Sequence, residues 1–252
     1  MFIPDANILQ PLIDVANAVL KFFHDNAGLS WGMSIIALTV CTRALLIPLT
    51  YKQLKGMRAM QALQPQIKEL QAKYKNDKQR MQQEMMRFYK ENKVNPFASC
   101  IPLIAQLPVF ITLFYTLRHE LPPDMGCAEA GHCAAYGAEF FFIHDLTAKA
   151  TGAELIALIV LYVGTQLASG YFMSITADKS QRMMMFVLPL IFVPFILSFP
   201  AGLILYWITT NFWTMGQQYT IQKLIPAPVI ATPAEVMAAK PPPPPPKKKK
   251  RR

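Results

Sequence analysis

Long apolar segments alternate with polar segments along the chain. A helix that crosses a bilayer needs about 17 to 25 predominantly apolar residues. Five segments meet this requirement, so the pattern predicts an all-α membrane protein with five transmembrane helices. The predicted spans cover residues 29–51, 98–118, 154–174, 183–199 and 203–221.

Two polar segments also have helical periodicity. Residues 1–28 predict an amphipathic helix that lies in the outer membrane interface or packs on the first span. Residues 52–97 carry a methionine-rich apolar stripe and favour two amphipathic helices in a hairpin that turns near residues 75–77. Asn76, with Gln79 three residues later, predicts the start of the second helix. A solvated charged connector is the alternative interpretation of this segment.

Charge differs between the polar segments and sets the predicted orientation. Only 16% of the 252 residues are charged, below the roughly 25% typical of soluble domains. Residues 52–97 hold eleven Lys or Arg against four Asp or Glu, whereas residues 119–153 hold one Lys and five acids. Because Lys and Arg accumulate on the cytoplasmic side, we predict 52–97 inside and 119–153 outside. The N-terminus is then outside and the C-terminus cytoplasmic.

Arg43 lies within the first predicted span, which contains no acidic residue. A charge inside a span is costly, and such residues usually face a wet cavity or a partner. Arg43 is roughly 12 Å from Tyr51, too deep for easy snorkelling. We therefore expect it to line a polar recess open to one side of the membrane. A snorkelling side chain, or one that holds a buried carbonyl, is the alternative. Pro48 predicts a kink near the end of this span.

The predicted outer loop holds Cys127 and Cys133, whose spacing is not that of a metal site. In an oxidising compartment they would form a local disulfide, and otherwise they would be two free thiols. The apolar residues 140–146 are expected to press against the outer interface. His144 beside Asp145 has no recognisable nucleophile nearby, which favours a capping or structural role.

Residues 222–252 form a predicted cytoplasmic tail. Its prolines at 241–246 predict a stiff extended rod, and the basic residues that follow suit anionic partners. Lipid headgroups and nucleic-acid phosphates both fit, as does a solvated tail that only enforces topology. The basic residues are Lys247, Lys248, Lys249, Lys250, Arg251 and Arg252.

Several long motifs resemble the YidC family of membrane protein insertases. They are WGMSIIALTVCTRALLIPLTYKQ in the first span, QALQPQIKELQ and KYKNDKQR in the hairpin, NPFASCIPLIAQLPVF in the second span and PAGLILYWITTNFW in the fifth. The resemblance covers about residues 7–225 in order. It is to the short, five-span form of the family, and the hairpin looks most like that of actinobacterial members.

The resemblance implies a hydrophilic groove that receives nascent membrane proteins, open to the cytoplasm and to lipid and closed to the outside. Arg43 corresponds to the family's groove arginine. The other positions that match groove or client-contacting residues are Gln106, Gln166, Tyr206, Trp207 and Asn211. The implied location is the bacterial cytoplasmic membrane. The implied partners are the ribosome, the signal recognition particle receptor, the Sec translocon and anionic lipids.

Enzyme chemistry is not expected from this sequence. It has no nucleotide-binding or HExxH metalloprotease motif and no pair of acids within a span. We expect neither a cofactor nor a metal site. The rival functions are a small-anion transporter with Arg43 as the counter-charge, and an assembly scaffold that docks through the hairpin and the tail. The absence of an internal repeat among the spans argues against the transporter.

Overall fold

The computed structural model describes residues 9–92, 94, 101–174 and 179–224, and every regular element of these residues is a helix. The all-α prediction is therefore confirmed. The helices are α1 (Gln10–Lys21), α2 (Trp31–Leu45), α3 (Ile47–Ala62), α4 (Gln64–Lys73), α5 (Lys78–Glu91), α6 (Ile101–Tyr115), α7 (Leu121–Met125), α8 (Gly152–Ser174), α9 (Lys179–Ile196) and α10 (Ala201–Leu224).

The number of membrane spans stays a prediction. By length and hydropathy, one helix of the described residues suffices to cross a membrane, the Gly152–Tyr171 segment of α8. A second candidate arises if α2 and the Ile47–Gln53 segment of α3 are counted as one bent span. Large apolar side chains are nevertheless exposed on several helices, with Ile156 66%, Ile191 67% and Leu45 79% accessible. Exposed apolar area of this kind marks a surface that contacts lipid or protein.

The chain divides into two compact units. The larger unit contains α1, α2, the beginning of α3 and α6 to α10. The smaller unit contains α4 and α5, which pack against each other as a hairpin that turns at residues 74–77. The second hairpin helix is capped by Asp77, whose Oδ1 accepts a hydrogen bond from the Arg80 N–H at 3.0 Å. Its cap is therefore one residue later than Asn76, the start that the sequence suggested.

Helix α10 is the centre of the larger unit. It packs against α8 and α2 and also contacts α6. Its first two turns are almost completely buried, and Leu203, Ile204 and Tyr206 belong to the main hydrophobic core. Residues on the other helices that contribute to this core include Ile35, Leu38, Leu113, Leu117, Leu158 and Ile196.

The first predicted span is bent where α2 meets α3. The axes of α2 and of the following segment differ by 54°. Pro48 lies in the first turn of α3 and supplies no N–H. In a straight continuation of α2 its ring would collide with the carbonyl four residues earlier. The bend therefore has the position and the cause that Pro48 predicted.

A loop of residues 126–151 covers one end of the larger unit, which we call the capped end. The Phe140 ring packs directly on Gly32 near the start of α2. At the start of α10, the N–H groups of Ala201 and Gly202 donate hydrogen bonds to carbonyls of this loop. The opposite ends of α2, α8 and α10 form what we call the open end. Residues 140–146 differ from the expectation, because Phe140, Ile143 and Leu146 are buried and only Phe141 and Phe142 are exposed apolar residues.

Helix α1 packs on α2 and α6, which is the second of the two placements expected for the N-terminal amphipathic helix. Asn17 and Lys21 each donate a 2.8 Å hydrogen bond to the Asp124 carboxylate. The hydrogen bond and the negative charge of Asp124 raise the pKa of Lys21. The other face of α1 exposes Leu12 and Val15, and Phe22 directly after the helix is also exposed.

Several helix boundaries differ from the sequence-based spans. Helix α3 continues to Ala62, so the first part of the predicted hairpin segment 52–97 belongs to the helix that follows the bend. Helix α9 begins at Lys179, so Lys179 and Arg182 are helical residues and not part of a connector. Helix α10 extends from Ala201 to Leu224 and includes residues that were assigned to a turn and to the tail. The rest of the predicted tail, residues 225–252, lies outside the described residues.

The contact between Gly32 and Phe140 generates a test of the capped end. A Cβ at position 32 would collide with the Phe140 ring and with its Cβ, whereas a Cβ at Gly164 would meet nothing within 4 Å. We expect Gly32→Ala to lower the free energy of unfolding by about 1–3 kcal/mol through overpacking. We expect Gly164→Ala to leave stability unchanged or to raise it by up to about 1 kcal/mol, since both glycines are helical. Unfolding titrations in mixed micelles measure both variants, and equal effects would contradict the packing described here.

Candidate functional site

Arg43 lies near the end of α2, about 18 Å along the helix axis from Trp31. Its side chain is partly buried. Long side chains on a helix lean towards its N-terminus, so the guanidinium extends back towards the capped end. There it comes close enough to the Tyr206 phenol on α10 for an electrostatic interaction. Among the described residues, Arg43 has neither an ion-pair partner nor a hydrogen-bond partner.

Three glutamine side chains have buried polar atoms that no described group satisfies. They are Gln53 Oε1 on α3, Gln106 Nε2 on α6 and Gln217 Nε2 on α10. Gln217 lies roughly 24 Å from the start of α10, and Gln106 lies in the first half of α6, away from the cap. Together with Arg43, these glutamines place unsatisfied polar groups in the half of the larger unit that is nearer the open end. Thr112 Oγ1, two residues closer to the capped end than Phe110, Thr210 Oγ1 on α10 and Asn17 Oδ1 on α1 are also unsatisfied.

An aromatic cluster occupies the half nearer the capped end. Its centre is Trp207, roughly 9 Å from the start of α10. The Trp207 ring stacks on Phe110 at 5.4 Å between centroids and is 5.9 Å from Phe199 and 6.0 Å from Tyr162. Rings from α6, α8, α10 and the turn before α10 therefore meet around one side chain. The cluster lies nearer the capped end than the unsatisfied glutamine atoms do.

Tyr206 and Asn211 are buried between helices. Tyr206 is 2% exposed, and Asn211 Nδ2 donates a 3.1 Å hydrogen bond to Thr165 Oγ1 on α8. The Thr165 hydroxyl in turn donates to the Leu161 carbonyl at 2.7 Å. These contacts support the simpler interpretation of both residues, helix–helix packing. Contact with a client stays a prediction for them.

The helices that carry Arg43, Gln106 and Gln166 all pack on α10, which carries Tyr206, Trp207 and Asn211. Arg43 on α2 approaches Tyr206, and Phe110, one turn from Gln106 on α6, stacks on Trp207. Thr165 on α8, which bonds Asn211, precedes the partly buried Gln166. The basic residues 247–252 lie outside the described part of the chain, so the structure does not relate them to this site.

The loop of the capped end is held by a disulfide and by a buried carboxylate. Cys127 and Cys133 are joined, with their Cα atoms 5.5 Å apart, so the disulfide is the alternative that the structure contains. Asp145 Oδ2 accepts the Cys133 N–H at 2.7 Å, and Asp145 Oδ1 accepts the Thr147 N–H at 2.8 Å. The sequence reasoning gave Asp145 only a general structural role. The signal for the second contact was present, because Asp followed two residues later by Thr favours a local side-chain turn.

One motif that suggests enzyme chemistry has a structural explanation. Residues 28–32, GLSWG, fit the G-x-S-x-G pattern of serine hydrolases, which the sequence reasoning overlooked. That motif needs a strand before the serine, whereas Ser30 follows a helix and caps α2 by accepting the Met33 N–H at 3.4 Å. Within the described ranges, no group of three or more His, Cys, Asp or Glu side chains is placed to hold a metal ion.

A helical unit with exposed apolar faces and a polar interior at one end has the features of an integral membrane protein. Comparison with protein families supports this class and makes it more specific. The family model described as 60Kd inner membrane protein matches residues 22–228. The chain belongs to this family of inner membrane proteins.

Individual relatives agree with the family assignment. A membrane protein insertase YidC from Streptomyces avermitilis is 38% identical over 234 residues, which cover 82% of this chain and 55% of that protein. A membrane protein insertase YidC from Histophilus somni is 38% identical over 218 residues, which cover 86% of this chain and 37% of that protein. The chain thus spans between about a third and a little over half of the length of the curated relatives it matches. The resemblance to the YidC family is confirmed.

A solved structure shows the same fold. It is described as an active YidC insertase crystal structure with the first transmembrane domain resolved. The TM-score is 0.65 at 24% sequence identity, and the match covers 84% of this chain and 47% of the other.

The Asn211–Thr165 contact predicts a measurable coupling between α10 and α8. In a double-mutant cycle of Asn211→Ala and Thr165→Ala, we expect a coupling free energy of about 0.6–1.7 kcal/mol, the range for hydrogen bonds between membrane helices. Thr165→Ser keeps the hydroxyl acceptor and serves as the matched control, in which the coupling persists. Unfolding titrations supply the free energies, and strictly additive effects of the two alanine substitutions would contradict the packing role of Asn211.

Proposed function

We propose that the chain is a membrane protein insertase without catalytic chemistry. It takes nascent membrane proteins into a hydrated recess at its open end and releases them sideways into the bilayer. The observation that carries this proposal is the partly buried Arg43, which has no ion-pair or hydrogen-bond partner among the described residues, in a unit that also holds buried, unsatisfied glutamine atoms. The relatives that bear the name membrane protein insertase YidC support it.

Hydration of the recess follows from the cost of leaving polar groups unsatisfied. A buried donor or acceptor without a partner costs about 1–3 kcal/mol, and a charge costs more. Glutamine atoms on α3, α6 and α10 and the Arg43 guanidinium share this condition towards one end of the unit. Water that enters from the open end satisfies all of them at once. The aromatic cluster around Trp207 stops this water before it reaches the cap.

The recess lowers the barrier for a polar client segment. Moving such a segment through about 30 Å of hydrocarbon is expensive because its polar groups lose their water. A recess that reaches partway across shortens the dry path. Arg43 attracts acidic residues of the client, and this attraction is stronger in a low-dielectric surrounding than in water.

Lateral release fits the apolar surfaces of α8 and α10. Ile156 and Val160 on α8 and Phe212 on α10 are all more than half exposed. In the proposed arrangement these surfaces contact lipid and the apolar part of the client. The client's apolar segment then moves along α8 and α10 into the bilayer, while its polar segment stays hydrated.

The proposed orientation follows from the charges of the loops. The capped end and α1 are outside, and the hairpin, the open end and the tail are cytoplasmic. In this arrangement the five predicted spans cross the bacterial cytoplasmic membrane. The basic hairpin and tail are placed to meet the ribosome, the signal recognition particle receptor, the Sec translocon or anionic lipids.

Arg43 supplies the first test of this function. We expect Arg43→Ala to reduce insertion of a small client with acidic residues in its translocated segment, because the positive charge of the recess is lost. We expect Arg43→Lys to restore most of the insertion. Proteoliposomes that carry the purified variant, with protease protection of the client as the readout, measure both.

The matched control for Arg43 is Arg118→Ala. Arg118 is also an arginine at a predicted span, but it is exposed at the capped end, where it lies over the Phe114 ring. The Arg118→Ala variant should insert the client at the wild-type rate. Full insertion by Arg43→Ala would remove this residue from the mechanism and would favour the scaffold function. Uptake of a small anion that is lost with Arg43→Ala would favour the transporter.

The basic tail supplies a second, separate test. If the tail binds ribosomes through phosphate contacts, binding should weaken steeply as salt rises, and deletion of residues 241–252 should flatten that dependence. A variant that keeps the prolines but replaces the six basic residues by serine should behave like the deletion. Co-sedimentation with ribosomes across a salt series measures the effect. Unchanged ribosome binding after deletion would contradict this role, and retained salt-dependent binding to anionic vesicles alone would assign the tail to lipid.

A further inference from the structure

The beginning of α10 is held by hydrogen bonds from the capping loop. The first four N–H groups of a helix have no partner within the helix. In α10, the Ala201 N–H donates to the Ala148 carbonyl at 2.7 Å and the Gly202 N–H donates to the Leu146 carbonyl at 2.8 Å. Two loop carbonyls thus replace the usual side-chain cap, so the position of α10 depends on the position of the loop.

Asp145 fixes the loop segment that supplies these carbonyls. It is 6% exposed, and its two oxygens accept three hydrogen bonds, from Cys133 N–H, Thr147 N–H and the Thr147 hydroxyl. The Thr147 hydroxyl also accepts the Gly131 N–H at 2.8 Å. Asp145 therefore ties the disulfide-closed turn to the residues on either side of Thr147, which are the residues that cap α10.

The fit between the loop and α10 is close. A Cβ at Gly202 would lie 2.9 Å from the Leu146 carbonyl oxygen and 3.2 Å from Leu117. Only a residue without a side chain lets the loop approach α10 at this distance. A small movement of the loop away from α10 therefore breaks both hydrogen bonds to the start of α10 together.

We propose that Asp145 is a positioning residue of the insertase, which fixes the start of α10 through the capping loop and so keeps the aromatic cluster around Trp207 closed towards the outside. The role of the closed cluster rests on the proposed function, whereas the positioning of α10 does not. Trp207 is only five residues beyond Gly202, so a shift of the helix start moves its ring directly. Without this constraint, the recess opens at both ends.

The test measures access to α10 from each side of the membrane. In the full chain with Cys41→Ser and Cys100→Ser, which keeps the disulfide, Thr210→Cys places one free thiol on α10 beyond Trp207. A membrane-impermeant maleimide is applied to sealed vesicles from the inner or the outer side. With Asp145 intact, we expect labelling from the inner side only. With Asp145→Ala, we expect outer-side labelling to rise by roughly tenfold or more, as when an opening equilibrium loses one charge-assisted hydrogen bond.

The control is Glu139→Gln, which removes another acid of the same loop. Glu139 is exposed and forms no ion pair or hydrogen bond with the described residues, so outer-side labelling should stay at its low value. Gly202→Ala provides an independent variant, because it separates the loop from α10 while Asp145 keeps its partners. Gly202→Ala should raise outer-side labelling as Asp145→Ala does. It also tests the proposal if Asp145→Ala fails to fold.

The outcomes separate the positioning role from the proposed function. If Asp145→Ala folds and its outer-side labelling is unchanged, the positioning role is overturned. If only Gly202→Ala folds, unchanged labelling of that variant overturns it. Either result stands even if Arg43→Ala abolishes client insertion. A rise in outer-side labelling with undisturbed insertion by Arg43→Ala would support the positioning of α10 while the insertase function fails. An equal rise in Glu139→Gln would show general loosening of the loop and would also overturn the assignment to Asp145.

Discussion

A polar group taken out of water has to find a hydrogen-bond partner inside the protein, and α10 is arranged around this constraint. Its first N–H groups bond to loop carbonyls, and Asn211 bonds to Thr165 on α8. Because α2, α6 and α8 all pack on α10, the hydrogen bonds that fix α10 also fix the positions of these helices in the larger unit. Apolar side chains then fill the space that the polar contacts define.

Towards the other end of the unit, some polar groups lack the hydrogen-bond partners that this constraint calls for. There, Arg43 and several glutamine atoms are buried or partly buried without partners among the described residues. A molecule selected only for stability would replace or pair these groups, because each unsatisfied one lowers the stability. The glutamine atoms towards the open end support the proposed wet recess, and the aromatic rings around Trp207 would form the inner end of that recess.

The features that depend on local sequence were predictable. The length and hydropathy of residues 154–174 predicted α8 to within two residues, and Pro48 predicted the bend after α2. Arg43 was recognisable because a charge in an apolar segment needs an explanation. The start of α9 at Lys179 was missed because a hydropathy pattern marks only the apolar part of a helix, and α9 begins with polar residues.

The features that depend on distant residues were not predictable from composition or periodicity. Asp145 and Gly202 are far apart in the chain, and only the folded loop brings their neighbourhoods together. Trp207 was named as a client contact through a resemblance, and its packing on Phe110 emerged from the structure. In each case the sequence identifies the residue but does not identify the distant residue that it contacts in the fold.

The contact between the loop and α10 also has a consequence for the order of assembly. The loop with its two cysteines and the helices before it leave the ribosome earlier than residues 201–224, because synthesis proceeds from the N-terminus. The carbonyls that receive α10 can thus be in place before α10 is made. In this order of synthesis α10 docks onto a prepared end, so a defect in the loop disturbs the docking of a helix that is synthesised later.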